Sequence, residues 1–377
     1  MHVLVEGSGG SSGWPEPGCR CASCLRCQAD GDVRNRSTIV VDGVLRLGAG
    51  EEPGDGAAGF EVRWLPDARD GTGLDARDGA GLRARDGAGL GGWEVTSPEG
   101  GRLLYPAGPG AVPDPPEGAA PYDIAFLDLL GDPAQLGRLR ARGLVTADTI
   151  TAVAFADHRV SGLAELERRC AFWRVTVPGD GELVTTARSA KKDLTVTWVP
   201  WRVLVMGGAR SGKSEWAELR LAAEPEVTYV ATAPRWRDGA GDQEWAARVA
   251  AHQARRPAWW RTAETTDLAG VLASARGAVL IDGIGTWLAA VLDECDGWGG
   301  CAASQVAGRI ADLIAAWRQA RALVVAVSDE AGMGVVPATP AGRLFRDELG
   351  RLNQALAAES EEAEVVIAGR VLSMTTW

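Results

Sequence analysis

An α/β fold is predicted for this 377-residue chain, on three observations. From Trp201 onward, short apolar runs alternate with amphipathic stretches, the pattern of a largely parallel sheet with flanking helices. At the head of that alternation, Val203-Leu204-Val205-Met206 runs into Gly207-Gly208-Ala209-Arg210-Ser211-Gly212-Lys213-Ser214 and then into the helix-forming Glu215-Trp216-Ala217-Glu218-Leu219-Arg220-Leu221. Strand, glycine loop and helix with the spacing G-x-x-x-x-G-K-S make a phosphate-binding loop. Upstream, strand-like and helix-like segments also alternate, but polar insertions interrupt them. A separate αβ domain over 1–186, a linker over 187–200 and a P-loop domain over 201–377 follow, and the length suffices for two cores.

The loop dictates its own chemistry. Its glycines let backbone N–H groups curl around a polyphosphate, and the helix that follows adds its positive dipole end. Lys213 reaches the terminal phosphates, and the Ser214 hydroxyl is placed to ligate Mg²⁺. Lysine occurs otherwise only at 191 and 192, so its presence at this spacing is informative. Next comes a strand over 227–233. Ligands of such folds sit at strand carboxyl ends, which puts Ala231, Thr232 and Ala233 beside the nucleotide. A helix over 242–254 carries Glu244, Arg248 and His252 close to one face. Residues 255–264 read as a short extended segment that opens on arginines. The apolar strand Val279-Leu280-Ile281 ends in Asp282, where P-loop proteins place the acid on the Mg²⁺ side. Helices over 285–293 and 302–320, a strand over 323–330 with acids at its end, a loop over 332–337, a helix over 344–357 and a closing strand over 364–369 complete this half.

The first half opens with a strand over 2–6 and a glycine-serine loop over 7–13. Cys19, Cys21, Cys24 and Cys27 then crowd one loop. Thiolates this dense can converge on a tetrahedral Zn²⁺, and spacings of one and two residues bring Cys19, Cys21 and Cys24 within reach of one ion, with the fourth ligand open. Strands over 37–42 and 44–47 follow. Residues 67–90 form an eight-residue tandem of Asp, Arg and Gly, read as a solvated, disordered insertion because it has nothing to bury. After a Pro/Gly-rich loop over 106–121 come a buried strand over 122–130, a helix over 133–142 and a strand over 150–155. Asp157-His158 reads as a strand-end pair, before a helix over 162–173 and a strand over 174–177.

Composition removes several function classes. A net charge of −11 and the lack of any basic block exclude a nucleic-acid surface. No apolar run approaches ~18 residues, so no membrane span is expected. The first ten residues lack the basic start and apolar centre of a secretory leader. Seven cysteines in this arrangement suit a reducing, cytoplasmic setting and a metal better than disulfides.

Two resemblances add to this reading. In its early glycine turn, its Cys-x-Cys-x-x-Cys loop and its strand order, the first half resembles the phosphodiesterase-like members of the metallo-β-lactamase superfamily. It lacks their H-x-H-x-D-H motif, and His2 and His158 are its only histidines. The resemblance therefore implies a degenerate, non-hydrolytic domain that retains a structural zinc. From Trp201 nearly to the end, the chain resembles the bifunctional adenosylcobinamide kinase / adenosylcobinamide-phosphate guanylyltransferase family. The resemblance rests on Gly207 to Ser214, Tyr229-Val230-Ala231-Thr232-Ala233, Arg248 to His252 with Arg256-Pro257-Ala258-Trp259-Trp260-Arg261-Thr262, Leu280 to Trp287, Asp329 to Pro337 and Gly342 to Gln354.

That resemblance implies two steps. A nucleoside triphosphate, ATP or GTP, phosphorylates the aminopropanol arm of adenosylcobinamide. GMP from GTP is then passed, through a covalent histidine–GMP intermediate, to adenosylcobinamide phosphate, giving adenosylcobinamide-GDP for the nucleotide loop of cobalamin. His252 is the only histidine of this half and matches the acceptor. Lys213, helped by Arg210, neutralises the triphosphate, Ser214 and Asp282 hold Mg²⁺, and Arg256 and Glu264 match the guanine-nucleotide contacts. Asp329 departs from the pattern, since the family usually carries Asn there. The resemblance also implies a homo-oligomer through the C-terminal domain. A different P-loop small-molecule kinase, or a GTP-binding scaffold without turnover, are the alternatives that the phosphate loop alone leaves open.

Overall fold

The computed structural model describes residues 1–53, 59–68, 91–186, 201–232, 255–299 and 302–374. The expected linker over 187–200, nearly all of the tandem insertion and the helix over 242–254 lie outside them. The chain divides into two compact units, one of Met1–Thr195 with Ala223–Pro225, the other of Val196–Ala222 with Glu226–Trp377.

The first unit is built on two sheets. The strand β1 (His2–Gly7) alternates, with Val3 and Val5 inside and Leu4 outside, as a half-buried strand must. It pairs antiparallel with β2 (Thr38–Val41), which pairs with β3 (Leu45–Gly48). The short β9 (Leu183–Thr185) completes the sheet on the other edge of β1, in the order β3-β2-β1-β9. The second sheet runs β4-β5-β6-β7-β8, with β4 (Glu61–Leu65), β5 (Gly92–Thr96), β6 (Arg102–Pro106), β7 (Ile124–Leu127) and β8 (Ile150–Val153). Pairing is antiparallel from β4 to β6 and parallel from β6 to β8. All four residues of β7 are buried, the signature of a strand covered on both faces. Val5, Ile39, Leu45 and Leu47 of the first sheet share one core with Val95, Leu103, Tyr105, Ile124 and Phe126 of the second. Among the described residues, three helices accompany the sheets: α1 (Ala22–Asp30), α2 (Ala134–Ala141) and α3 (Leu163–Trp173).

Several expectations for this unit are corrected. The cysteine segment is half helix, since Cys24 and Cys27 lie in α1. The expected strand over 174–177 is reduced to a single bridge between Ala152 and Thr176. Strands β4, β5, β6 and β9 were not expected; their short segments mix charged and apolar residues and carry no clean period.

A fully buried carboxylate sits beside this core. Arg159 grips Asp128 with two nitrogens, at 2.8 and 3.0 Å, and turns its Nε to Asp157 at 2.8 Å. Burial opposes the charge on Arg159, but the Asp128 carboxylate and the hydrogen bonds to both acids outweigh it and raise its pKa. Removing one partner of such a buried pair leaves the other charge uncompensated. Arg159→Met is expected to cost this unit about 3–5 kcal/mol in chemical denaturation. A loss below about 1 kcal/mol would show that Asp128 does not depend on this cation.

In the second unit the described strands form a seven-stranded sheet in the order β12-β11-β13-β14-β10-β15-β16. Its strands are β10 (Trp201–Gly207), β11 (Val227–Ala231), β12 (Arg261–Glu264), β13 (Ala278–Asp282), β14 (Leu323–Asp329), β15 (Glu362–Ile367) and β16 (Arg370–Met374). All pairs are parallel except β15 with β16, so the strand expected to close the sheet is followed by an antiparallel edge. The described helices are α4 (Lys213–Leu221), α5 (Leu268–Ser274), α6 (Ile284–Glu294), α7 (Ala303–Gln319) and α8 (Pro340–Ala358). Ile284, Trp287, Leu288, Val291 and Leu292 of α6 recur at helical spacing and enter the core with Leu204, Ile281 and Ala326 of the sheet. The carboxyl ends of β10, β11, β13 and β14 thereby come level: Ala231 pairs with Asp282, Asp282 with Val327, and Gly207 with Asp329.

No described helix is long and apolar enough to cross a membrane.

Candidate functional site

Gly207 to Ser214 form the expected loop between β10 and α4, and the reasons are local. A Cβ on Gly207 would meet the Ser211 hydroxyl at 2.5 Å and the Val366 carbonyl at 2.6 Å, so only glycine lets the loop close over the sheet. Arg210 and Gly212 take left-handed backbone at φ 57° and 96°, which turns the chain back into α4. The first residue of that helix is Lys213, and no side chain caps its start, leaving the first-turn N–H groups for an anion. A neighbouring hairpin supports the loop. Ala368 and Gly369, at φ 50° and 74°, form the two-residue turn between β15 and β16, and the Gly369 N–H donates to the Ser211 carbonyl at 2.8 Å. On its far side α4 is tied to β15, where Arg220 pairs with the buried Glu364 at 3.1 Å and the Trp216 indole donates to the same carboxylate at 2.6 Å.

Asp282 projects from the end of β13 into this loop. The Ser214 hydroxyl donates to its Oδ1 at 3.3 Å, and the Tyr229 hydroxyl donates to its Oδ2 at 2.6 Å. Burial and the Asp282 carboxylate push the Tyr229 phenol up, so it stays a donor to that acid. The Arg256 guanidinium stacks over the Tyr229 ring, 3.7 Å from its centre, and reaches the Thr262 hydroxyl at 3.4 Å. Arg256, Tyr229, Asp282 and Ser214 thus form one chain of contacts leading to the phosphate loop. Thr232, fully buried, donates to the Gly283 carbonyl at 2.7 Å and shares a 2.6 Å hydrogen bond with Thr286. Glu264 ends β12 opposite Ala231, on the same edge of the sheet. Lys213 reaches back over the loop, where its ammonium donates to the Gly208 carbonyl at 3.1 Å and pairs with Asp329 at 2.9 Å.

The loop residues, Ala231, Thr232, Glu264 and Asp282 therefore lie at one end of one sheet, and Arg256 joins them through Tyr229. Ala233 and His252 lie outside the described residues. Sequence reasoning did not assign Tyr229 to Asp282 or Asp329 to Lys213. Both contacts depend on strand order, which no local spacing encodes.

The family model described as cobinamide kinase / cobinamide phosphate guanyltransferase matches residues 203–374. The bifunctional adenosylcobalamin biosynthesis protein CobU of Salmonella typhimurium is 39% identical over 178 residues, covering 44% of this chain and 96% of that protein. The protein CobP of Pseudomonas aeruginosa, of the same description, is 41% identical over 174 residues, covering 45% of this chain and 94% of its own. This chain belongs to the cobinamide kinase / cobinamide phosphate guanyltransferase family. The phosphate loop, Tyr229, Arg256, Asp282 and Asp329 all fall inside the span matched to that family.

The cysteine cluster lies outside the span matched to the cobinamide kinase family. Cys19, Cys21, Cys24 and His158 present ligand atoms that all lie within 4.8 Å of one another. The His158 Nδ1 is 3.8 Å from the Cys24 sulfur, 3.9 Å from the Cys19 sulfur and 3.2 Å from Glu16. Cys27, a candidate ligand on sequence, is not part of the cluster. Its place in α1 turns it inward, where its thiol donates to the Asp32 carbonyl at 3.0 Å. His158 takes its place, a residue read from sequence as a strand-end neighbour because it lies 134 positions from Cys24. A solved structure of Zn(2+)-bound PqqB from Methylobacterium extorquens aligns with 49% of this chain and all of that one, at 15% identity and a TM-score of 0.30, too low to inform the fold or the cluster.

Proposed function

We propose that residues 201–377 carry both steps of the family chemistry, phosphorylation of adenosylcobinamide and guanylyl transfer to the resulting phosphate. The observation that carries this reading is the convergence of Lys213, Ser214 and Asp282 where the carboxyl ends of β10, β13 and β14 come level, with Arg256 joined to Asp282 through Tyr229, within a family-matched span.

In the first step, the aminopropanol hydroxyl oxygen attacks the γ-phosphorus, its proton is lost, the β,γ P–O bond breaks and a nucleoside diphosphate leaves. Lys213, Arg210 and the loop N–H groups hold the triphosphate in line and meet the charge that shifts onto its oxygens. The Ser214 hydroxyl and Asp282, 3.3 Å apart, are hard oxygen donors of the kind Mg²⁺ takes. They would hold that ion, which supplies charge neutralisation to the phosphates. Tyr229 fixes the Asp282 carboxylate, and Arg256 braces Tyr229.

In the second step, a nitrogen of His252 attacks the α-phosphorus of GTP and pyrophosphate leaves. The phosphate of the corrinoid then attacks the same phosphorus and the P–N bond breaks, releasing the imidazole and adenosylcobinamide-GDP. Splitting one displacement into two suits a nucleophile that is also a good leaving group. Glu264 would accept from the N1–H and N2–H₂ donors of guanine, with Arg256 beside the phosphates. The direct test is to supply the purified full chain with adenosylcobinamide, ATP, GTP and Mg²⁺ and to separate the corrinoids. The phosphate and then the GDP-capped product are expected; a corrinoid left unmodified would overturn the reading. We place the enzyme in the cytoplasm, as a homo-oligomer through the C-terminal unit.

The first unit we read as a degenerate metallo-β-lactamase-like domain with a structural zinc held by Cys19, Cys21, Cys24 and His158. Around a tetrahedral Zn²⁺, sulfur and nitrogen ligands stand about 3.5–3.8 Å apart. The sulfur–imidazole separations of 3.8 and 3.9 Å fit that geometry with little closure. Metal analysis of the purified protein is expected to find about one zinc per chain, lost in Cys21→Ser and retained in Cys27→Ser. Zinc content unchanged by Cys21→Ser would end the proposal.

A further inference from the structure

The Lys213 ammonium is the group a phosphate loop offers to the terminal phosphates, yet here a carboxylate also claims it. Asp329 Oδ1 lies 2.9 Å from Nζ, at closer range than the Gly208 carbonyl at 3.1 Å. The backbone that carries this carboxylate is held in place from several sides. Its strand pairs with β10 so that Asp329 stands opposite Gly207, and the next N–H, of Glu330, donates to the Gly207 carbonyl at 3.1 Å. From α8, the Asn353 amide donates to the Asp329 carbonyl at 3.1 Å, and Asn353 is itself fixed by the buried Ser328 hydroxyl at 2.6 Å. The other carboxylate oxygen, Oδ2, packs so close to Gly285 that a Cβ there would approach to 2.9 Å. The Lys213 side chain is 14% exposed and that of Asp329 is 48% exposed, so the pair sits at the mouth of the loop.

An anion at hydrogen-bond distance, carried on a backbone fixed to β10 and α8, uses the same positive charge that a β- or γ-phosphate uses. We propose that Asp329 sets the nucleotide affinity of this site by competing with the triphosphate for Lys213. A nucleotide has to share the ammonium with Asp329 or draw it away, so binding is weaker than the loop alone would give. Release of the spent nucleotide is correspondingly easier, because Asp329 is ready to take the ammonium back. Asp329 is thus a positioning residue that acts through Lys213, and the inference rests on the reading of this loop as a nucleoside-triphosphate site.

The test is equilibrium binding of a non-hydrolysable GTP analogue with Mg²⁺ at fixed ionic strength, for the wild type, Asp329→Asn, Lys213→Ala and the double variant. Asparagine keeps the shape and removes the charge, and Asp329→Ala serves as a second variant with the same expected sign. For a half-exposed pair at contact distance, Asp329→Asn is expected to tighten Kd about tenfold. In the Lys213→Ala background, the same change is expected to shift Kd by less than about twofold, because the competition has no object there. An unchanged or weakened Kd in Asp329→Asn and Asp329→Ala, or an equal gain in both backgrounds, overturns the proposal. Lack of binding by every form, the wild type included, overturns the nucleotide reading and this proposal with it. Binding by the wild type with no response to Asp329 overturns this proposal alone.

Discussion

Replacing His252 by asparagine is expected to abolish the GDP-capped corrinoid, lowering guanylyl transfer by at least about three orders of magnitude. The reason is chemical rather than structural. Asparagine matches the polarity and approximate size of the imidazole but has no basic nitrogen to attack phosphorus. A nucleophile that forms the covalent intermediate has no substitute, and the C-terminal half contains no second histidine. Adenosylcobinamide phosphate is expected to accumulate instead. Chromatography of corrinoids after incubation with ATP, GTP and Mg²⁺ reads both species at once. GDP-capped product at the wild-type rate would remove His252 from the mechanism.

Lys213→Ala is expected to lower the phosphorylation rate by about two to three orders of magnitude. Here the lost group is a preorganised point charge that meets the charge shifting onto the phosphate oxygens. It lies where the loop backbone and Asp329 already converge, 3.1 and 2.9 Å from the ammonium. Arginine in its place is expected to recover little, because a planar fork cannot occupy the pocket of a compact ammonium. Initial rates of adenosylcobinamide phosphate formation check this, with circular dichroism confirming the fold. A loss of less than about fivefold would show that the loop backbone and the metal carry the charge without Lys213.

The phosphate loop was legible because its requirements are local. Gly207, Arg210 and Gly212 must take particular backbone conformations, and Lys213 and Ser214 must follow at once, so spacing alone carries the message. Asp282 was legible for a related reason, as an acid that ends a strongly apolar strand. The partners of these groups were not. Tyr229 reaches Asp282, and Asp329 reaches Lys213, only because β14 lies between β10 and β13 and β11 lies beyond them. The cysteine cluster divides in the same way. Cys19, Cys21 and Cys24 are close by sequence, but the helix that begins at Ala22 turns Cys27 inward, and His158 arrives from after β8. The short strand β4 escaped notice because Glu61, Arg63 and Trp64 are exposed and only Leu65 is buried, which leaves no alternation to read. In β12, Arg261, Thr262 and Glu264 are exposed on an edge, so the sequence shows an extended segment there without marking where the strand begins.

We propose that this chain transfers a guanylyl group by way of its own imidazole. The most direct measurement is to incubate the full chain with Mg²⁺ and GTP labelled at the α- or the γ-phosphate, without corrinoid, and to follow label on the denatured protein. Label from the α-position alone is predicted, labile to acid and hydroxylamine as a phosphoramidate is, absent in His252→Asn and discharged when adenosylcobinamide phosphate is added before denaturation. A protein that stays unlabelled while GDP-capped corrinoid is made, or one that keeps its label in His252→Asn, would contradict the account.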